Sequence, residues 1–171
     1  MNVVIETERL LLRTFTENDA PLIYELNNDP DVTRFTYNTI KDLDHAEEIL
    51  IKKILPQYAL YNHGRWAVHV RPTLEFLGWC GLKYRFELNE VDLGYRFKKS
   101  SWGKGYATEA AYASIKYGFE KLYLHRITAR AEIDNMASWK VLEKCGMTYI
   151  GQQEIEGYPV KTYEILNPSV R

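Results

Sequence analysis

Val91-Asp92-Leu93-Gly94-Tyr95-Arg96-Phe97, then Lys98-Lys99-Ser100-Ser101, then Trp102-Gly103-Lys104-Gly105-Tyr106-Ala107-Thr108-Glu109-Ala110, is the stretch that organises the rest of the chain. Val91 to Phe97 reads as a strand, Lys98 to Lys104 as a loop, and a helix is expected from about Tyr106 to Lys121. Gly103 and Gly105 remove Cβ atoms where the strand gives way to the helix, so backbone N–H groups can approach an oxyanion directly. The helix opening adds free N–H groups and the positive end of its dipole. Arg96, Lys98, Lys99 and Lys104 place four cations between Arg96 and Lys104 with no carboxylate among them. Such a turn binds phosphate or pyrophosphate.

Three readings compete for that phosphate. A Walker loop needs GxxxxGK followed by Ser or Thr, and Gly103-Lys104-Gly105 has neither the spacing nor the hydroxyl. A dinucleotide fingerprint, GxGxxG, is nearly matched by Gly103 to Thr108, with Glu132 after a second strand. That fold needs several more strand–helix units than the residues after Glu132 supply. The bland alternative is two glycines that simply turn the chain.

Outward from this stretch the chain reads as a single α+β domain over residues 1–171. Upstream, residues 3–14 are apolar enough for a first strand, and Thr16 with Asp19 three residues later resembles a helix start. That helix would carry Leu22, Ile23 and Leu26 and stop before Asp29-Pro30, with a turn around Pro30 to Phe35. Leu43 to Leu60 has helical spacing, ended or kinked by Pro56. Arg65 to Arg71 and Phe76 to Arg85 read as strands, and Glu87 to Glu90 suits a hairpin into the strand at Val91. Downstream, Ala107, Ala110, Ala111, Ser114, Ile115 and Gly118 form a stripe of small residues that lets a helix lie close on a sheet. Ile127 to Ala131 is a strand, Asn135 to Lys144 a helix ended by Gly146, and Met147 to Glu154 and Val160 to Leu166 are two last strands. The order implies a mixed central β-sheet flanked by helices.

The strings themselves resemble the GNAT superfamily of N-acetyltransferases, whose pyrophosphate loop is written Q/R-x-x-G-x-G/A. Gly105 and Ala107 occupy the last two fixed positions, while Trp102 stands where Gln or Arg is usual. WGKGYATEA, the opening Thr7-Glu8-Arg9-Leu10-Leu11-Leu12-Arg13 and the late Asn135 to Met147 are similar to the branch that includes ribosomal-protein N-terminal alanine acetyltransferases. The resemblance implies that two parallel strands, Val91–Phe97 and Ile127–Ala131, splay to admit the pantetheine arm of acetyl-CoA. Backbone groups near Tyr95, Arg96 and Phe97 would pair with that arm, and a backbone N–H there could serve the thioester carbonyl. Trp102, Gly103, Lys104, Gly105, Tyr106, Ala107 and Thr108 would hold the pyrophosphate. Asn135 reads equally as a helix cap or as a hydrogen-bonding partner of the cofactor arm, and Ser138, one turn later, would approach the thioester sulfur.

For acid and base the resemblance is incomplete. The tyrosine acid that many members place in the late helix is replaced by Leu142, so Ser138 is the candidate acid, with water as its rival. A CoA thiol, like free cysteine, titrates at about 8.5 and needs modest help to leave. Asp92 occupies a strand position like that of the general-base glutamate of histone-type members; the bland reading is a solvated acid at a strand start. An α-amine at about 7.7–8.0 is already partly neutral, whereas a lysine amine at about 10.4 needs assistance. His69 would face solvent or substrate, His125 would start a strand, and neither has metal-ligand spacing, so no metal is expected. Cys80 and Cys145 sit far apart and read as small buried residues.

The expected activity is direct acetyl transfer from acetyl-CoA to a primary amine, a protein or peptide N-terminal α-amine by branch resemblance. A small amine or a non-catalytic acyl-CoA-binding module are the alternatives. Asn28–Asp44 and Glu154–Tyr163 should shape the acceptor pocket. A net charge of −1 gives no pull toward nucleic acid or an anionic membrane, no apolar run is long enough to span one, and MNVVIETERLLLR does not read as a secretory signal. A cytoplasmic location follows as the expectation, with a homodimer admissible.

Overall fold

Eight strands form one sheet in the computed structural model, which describes residues 1–36 and 39–169. In chain order they are β1 (Val3–Glu6), β2 (Leu10–Arg13), β3 (Arg65–Val70), β4 (Phe76–Arg85), β5 (Glu90–Phe97), β6 (Arg126–Glu132), β7 (Thr148–Ile155) and β8 (Tyr158–Leu166). The spatial order is β1-β2-β3-β4-β5-β6-β8-β7, antiparallel throughout except where β5 and β6 run parallel. The helices are α1 (Ala20–Asn27), α2 (Pro30–Thr33), α3 (Leu43–Ile49), α4 (Leu55–Tyr61), α5 (Tyr106–Glu120) and α6 (Met136–Lys144). The α+β class, the mixed sheet and the strands and helices downstream of Phe76 agree with expectation to within two residues at each end.

Upstream the structure departs from the sequence reading in three places, each for a local reason, and in a fourth it shows the expected interruption of a helix near Pro56. Residues 3–14 are a hairpin and not one strand. The Thr7 hydroxyl takes the Leu10 N–H at 3.0 Å and the Thr7 N–H reaches the Leu10 carbonyl at 2.9 Å, which folds β1 back on β2. Helix α1 starts at Ala20 with Asp19 as its cap residue, not Thr16, because Pro21 fits the first turn. The Asp19 carboxylate bonds the Thr16 N–H at 2.7 Å and Arg13 at 2.7 Å. The turn expected at Pro30 is the short helix α2, capped by Asp29 on the Asp31 N–H. The long helix of residues 43–60 is broken by a π-helical turn over Leu50–Ile54 just before Pro56, which has no N–H to continue the ladder.

The sheet separates two apolar cores. Leu10, Leu12, Trp66, Leu82, Leu93 and Ile127 pack on one face against Ala110, Ala111 and Ile115 of α5 and Leu142 of α6. Phe15, Ala67 and Phe76 pack on the other against Ile23 and Leu26 of α1, Ala46 of α3 and Leu50 and Ile54 beyond it. The small-residue stripe of α5 is buried as expected from Ala110 to Gly118, with Ala107 half-buried.

The β1–β2 turn also fixes the start of α5. Glu109, in the helix's first turn, accepts from the Thr7 hydroxyl at 2.6 Å, the Arg9 N–H at 3.0 Å and Arg9 Nε at 2.7 Å. Desolvation raises the affinity of that carboxyl for its proton, but the bonds from Thr7 and Arg9 outweigh it and hold Glu109 below the usual carboxylate range. A depressed folded-state value means the stabilisation is complete above the ordinary value and is lost as pH falls through the folded one. Glu109→Gln should therefore cost about 1–2 kcal/mol near neutral pH, the lower end of charged hydrogen bonding because Arg9 is partly exposed. The difference from the parent, read from denaturant melts, should shrink as pH drops below 4.5.

Candidate active site

β5 and β6 pair over one short stretch, Asp92 with Thr128 and Leu93 with Ala129. Beyond it each strand keeps only its outer partner: β5 stays paired with β4 as far as Phe97, and β6 with β8 as far as Glu132. The two inner edges therefore diverge, the splay implied by the resemblance. The Lys98 N–H bonds the Leu77 carbonyl of β4 at 2.8 Å. Strand alternation then turns the N–H groups of Tyr95 and Phe97 the other way, into the gap.

Helix α6 borders the gap. The Asn135 side chain caps it, accepting from the Ser138 N–H at 3.3 Å, while its amide nitrogen bonds nothing among the described residues. Tyr95 reaches across from β5, its hydroxyl 2.9 Å from both Ser138 Oγ and the Ser138 carbonyl. Burial raises the Tyr95 phenol above its ordinary range, so it stays protonated. Leu142 is buried in α6 and offers no acid.

At the wide end of the gap lies the loop. Gly103 and Gly105 have φ of 75° and 81°, the left-handed region that side chains disfavour. Gly105 caps α5, and the N–H groups of Gly105, Tyr106, Ala107 and Thr108 donate to no group among the described residues. The Trp102 indole donates to the Phe97 carbonyl at 2.9 Å, which ties the loop to the strand end. The expectation that four cations serve this loop needs correction. Lys98 pairs with Glu25 at 2.6 Å, Lys99 pairs with Asp31 at 2.7 Å, and Arg96 turns away to Asn27, leaving Lys104. The cation missed by sequence reasoning is Arg9. It donates to the Lys104 carbonyl at 2.8 Å and lies over the Tyr106 ring, with Nη2 3.3 Å from where a Gly105 Cβ would stand. Its place in Thr7-Glu8-Arg9 beside a later Thr108-Glu109 was the available signal.

A cleft of about 1140 Å³ passes through the gap, from Asn135 and Ser138 on one side to Phe35, Ile49, Gln57, Tyr84 and Arg96 on the other. Thr36, Ile155 and Glu156 line it, in partial agreement with the two expected acceptor segments; Tyr37 and Asn38 lie outside the described residues. The lining from α4 and the β4–β5 hairpin was not foreseen.

Asp92 is not the solvated acid expected at a strand start. It is 2% exposed, one residue pair into the β5–β6 junction, and faces three guanidinium groups. Arg65 Nη2 lies 2.9 Å and Arg85 Nη2 3.3 Å from Oδ2, and Arg130 Nη1 lies 3.8 Å from Oδ1. Arg65 crosses directly over Gly94, where a Cβ would stand 2.3 Å from its Nη2. Glu90 continues the network to Arg130 at 2.7 Å and Arg126 at 3.1 Å. His69 is also buried, its Nε2 accepting from Arg13 and its Nδ1 bonding the Leu74 carbonyl at 3.0 Å, so it faces neither solvent nor substrate. His125 precedes β6. Burial pushes the Cys80 thiol up to about 12 and the Cys145 thiol to about 11, which leaves no thiolate nucleophile at either position.

A family model for the acetyltransferase (GNAT) domain matches residues 9–148. The protein YkkB of Bacillus subtilis is 34% identical over 161 residues, 92% of each chain. The N-acetyltransferase p20 of Bacillus licheniformis is 34% identical over 139 residues, 80% of this chain and 77% of its own. The crystal structure of a GNAT-family acetyltransferase from Bacillus anthracis superposes with a TM-score of 0.82 at 28% identity, covering 95% of this chain and 98% of that one.

If Asp92 is the shared counter-ion of three arginines, Asp92→Asn should destabilise the fold by about 3–5 kcal/mol, as removing one partner of a buried ion pair does. Chemical denaturation with an unchanged slope checks this. A variant as stable as the parent would return Asp92 to the role of a free carboxylate.

Proposed function

The chain belongs to the GNAT family of acetyl-CoA-dependent N-acetyltransferases, and from that premise we propose that it passes acetyl directly to the α-amine of a protein or peptide N-terminus. The observation that carries this reading is the cleft that joins the two faces of the sheet through the β5–β6 gap. A thioester laid along the inner edge of β5 would meet an amine entering from the α1–α4 side, and the cleft is roomy enough for several residues of a chain end.

The residues fit acetyl-CoA as co-substrate. The unpartnered N–H groups of Gly105, Tyr106, Ala107 and Thr108, with Lys104 and Arg9 beside them, form an anion cradle for the pyrophosphate. Trp102 and Gly103 hold the loop open for it. The N–H groups of Tyr95 and Phe97 face the gap where the pantetheine amides and the thioester carbonyl would lie, and the free Asn135 amide faces the same space. Acetyl-CoA supplies the activated acyl group and a thiol leaving group. Ser138 Oγ relays a proton to that sulfur as the C–S bond breaks and takes one back from water, which has received the amine proton, while Tyr95 positions the Ser138 hydroxyl. An α-amine that titrates at about 7.7–8.0 is substantially neutral at physiological pH, so deprotonation is left to water and Asp92 serves structure. Transfer is direct because both thiols are buried and protonated. Two unpaired cysteines suit a reducing cytoplasm.

Acetyl-CoA at ~100 times its Kd should add ~2.7 kcal/mol of stability, seen as a raised Tm, with ATP and NADH giving far less. Gly105→Ala should cost only about 1–2 kcal/mol of fold stability yet remove most of that ligand-induced rise, because its φ of 81° and the close backbone approach are both lost. A full rise in Gly105→Ala would mean the glycine only turns the chain. Thiol release from acetyl-CoA tests the transfer itself. Peptides with a free N-terminus should turn over and their N-blocked counterparts should not, while faster turnover of lysine side chains would refute the α-amine assignment. Ser138→Ala should lose at least about tenfold in kcat while keeping its acetyl-CoA affinity.

A further inference from the structure

The cleft is lined by seven cationic side chains (Lys52, Lys53, Arg65, Lys83, Arg85, Arg96 and Arg130) and four carboxylates (Glu87, Asp92, Glu132 and Glu156). Among its arginines, Arg65, Arg85 and Arg130 share Asp92, and Arg130 also has Glu90. Among the described residues no carboxylate pairs with Arg96. Its Nη1 donates to the neutral amide oxygen of Asn27, its guanidinium lies 4.9 Å from the centre of the Trp79 ring, and its buried Nε has no partner among the described residues. Arg85 Nε is likewise buried without a partner. Burial, with Arg65 as a neighbouring like charge, pushes the Arg96 guanidinium down to about 10. The same causes act on Lys83, lowered first by burial and then by Arg65 and Arg85.

A half-buried guanidinium without an acid is an unbalanced charge, and its planar fork is built to receive a carboxylate. Arg96 follows Tyr95 in β5, so a group bound to it sits one residue from the strand edge that faces the gap. We propose that the acceptor carries a carboxylate within a few bonds of its reactive amine, and that Arg96 receives that carboxylate and so selects anionic amines over cationic ones. This rests on the reading of the cleft as the acceptor site. On a peptide the carboxylate is an acidic side chain next to the N-terminus; on a free amino acid it is the α-carboxylate. Polyamines would be repelled by the same lining.

Initial rates of thiol release from acetyl-CoA test this with C-terminally amidated peptides that differ only at the second residue, Glu, Gln or Lys. Free glutamate and spermidine are the small-molecule arms. We expect kcat/KM to fall from Glu to Gln to Lys, with at least a tenfold span, and spermidine to be the poorest substrate. A glutamate rate that matches the Glu peptide would assign the carboxylate to a small acceptor. Arg96→Gln should bring the Glu-to-Gln ratio close to one while retaining the Tm rise given by acetyl-CoA. Asn27→Asp, which supplies an internal carboxylate to an intact Arg96, should bring the ratio down in the same way. A flat or reversed charge order, or a preference that survives both variants, would overturn the inference and leave amine acetylation standing. Thiol release with none of these amines, in protein that still binds acetyl-CoA, would remove both.

Discussion

The site exists because β5 and β6 are parallel neighbours that pair for only two residue positions and then part. Parallel strands would ordinarily continue their ladder, and each unpaired inner edge leaves backbone donors and acceptors facing the gap. What tolerates this is complete pairing on the outer edges, with β4 and β8, together with a gap wide enough to admit solvent or a ligand. The branch point itself is held by charge. Asp92 and Thr128 form a paired position at the junction, where Glu90 bonds Thr128, Arg126 and Arg130 of β6 and Asp92 pairs with Arg130, while Arg65 and Arg85 tie Asp92 back to β3 and β4. A buried network of this kind is weak evidence for net stability. Its geometric consequence is clear, because it fastens the strands at one end and leaves the other end to diverge.

A second coupling carries that geometry to the loop. Glu109 of α5 is gripped by Thr7 and Arg9 from the hairpin about 100 residues earlier in the chain, and Arg9 continues to the Lys104 carbonyl and the Tyr106 ring. The helix that presents the free N–H groups is thus oriented by the first ten residues. This gives a physical reason for the company kept by two distant strings, TERLLLR and GYATEA. One supplies the hydroxyl and guanidinium, the other the carboxylate, and neither half works alone.

The contrast between legible and illegible parts of the chain follows the range of the interactions. The β5–loop–α5 unit, the α6 cap at Asn135 and the small-residue stripe were readable because each is decided within a few residues by glycine, a capping side chain or helical spacing. The hairpin at Thr7, the cap at Asp19 and the buried setting of Asp92 were not. Thr7 closes its turn with help from Glu109, Asp19 is drawn off its helix by Arg13, and Asp92 is buried by arginines from β3, β4 and β6. The loop cations illustrate the same limit. Lys98 and Lys99 lie next to the glycines in sequence, yet α1 and α2 supply the acids that take them, whereas Arg9, far away in sequence, is the one that arrives.

These placements bear on how much chemistry the protein itself must do. In the proposed reaction the leaving thiol titrates at about 8.5 and the attacking α-amine at about 7.7–8.0, so neither proton transfer is difficult near neutral pH. The chain matches that modest demand. Leu142 is a buried apolar side chain, the Tyr95 hydroxyl is bonded to Ser138, and Asp92 is paired with three arginines. What it provides instead is placement: backbone donors along β5, unpartnered N–H groups at the start of α5 held by Arg9 and Glu109, and a cationic lining across the gap. Holding two reactants in an aligned geometry can contribute about 7–11 kcal/mol of barrier reduction, more than the ~10²–10⁴-fold a single acid or base provides. A site built this way gains its selectivity from what the cleft admits, and the charge of its lining then matters more than any one titrating residue.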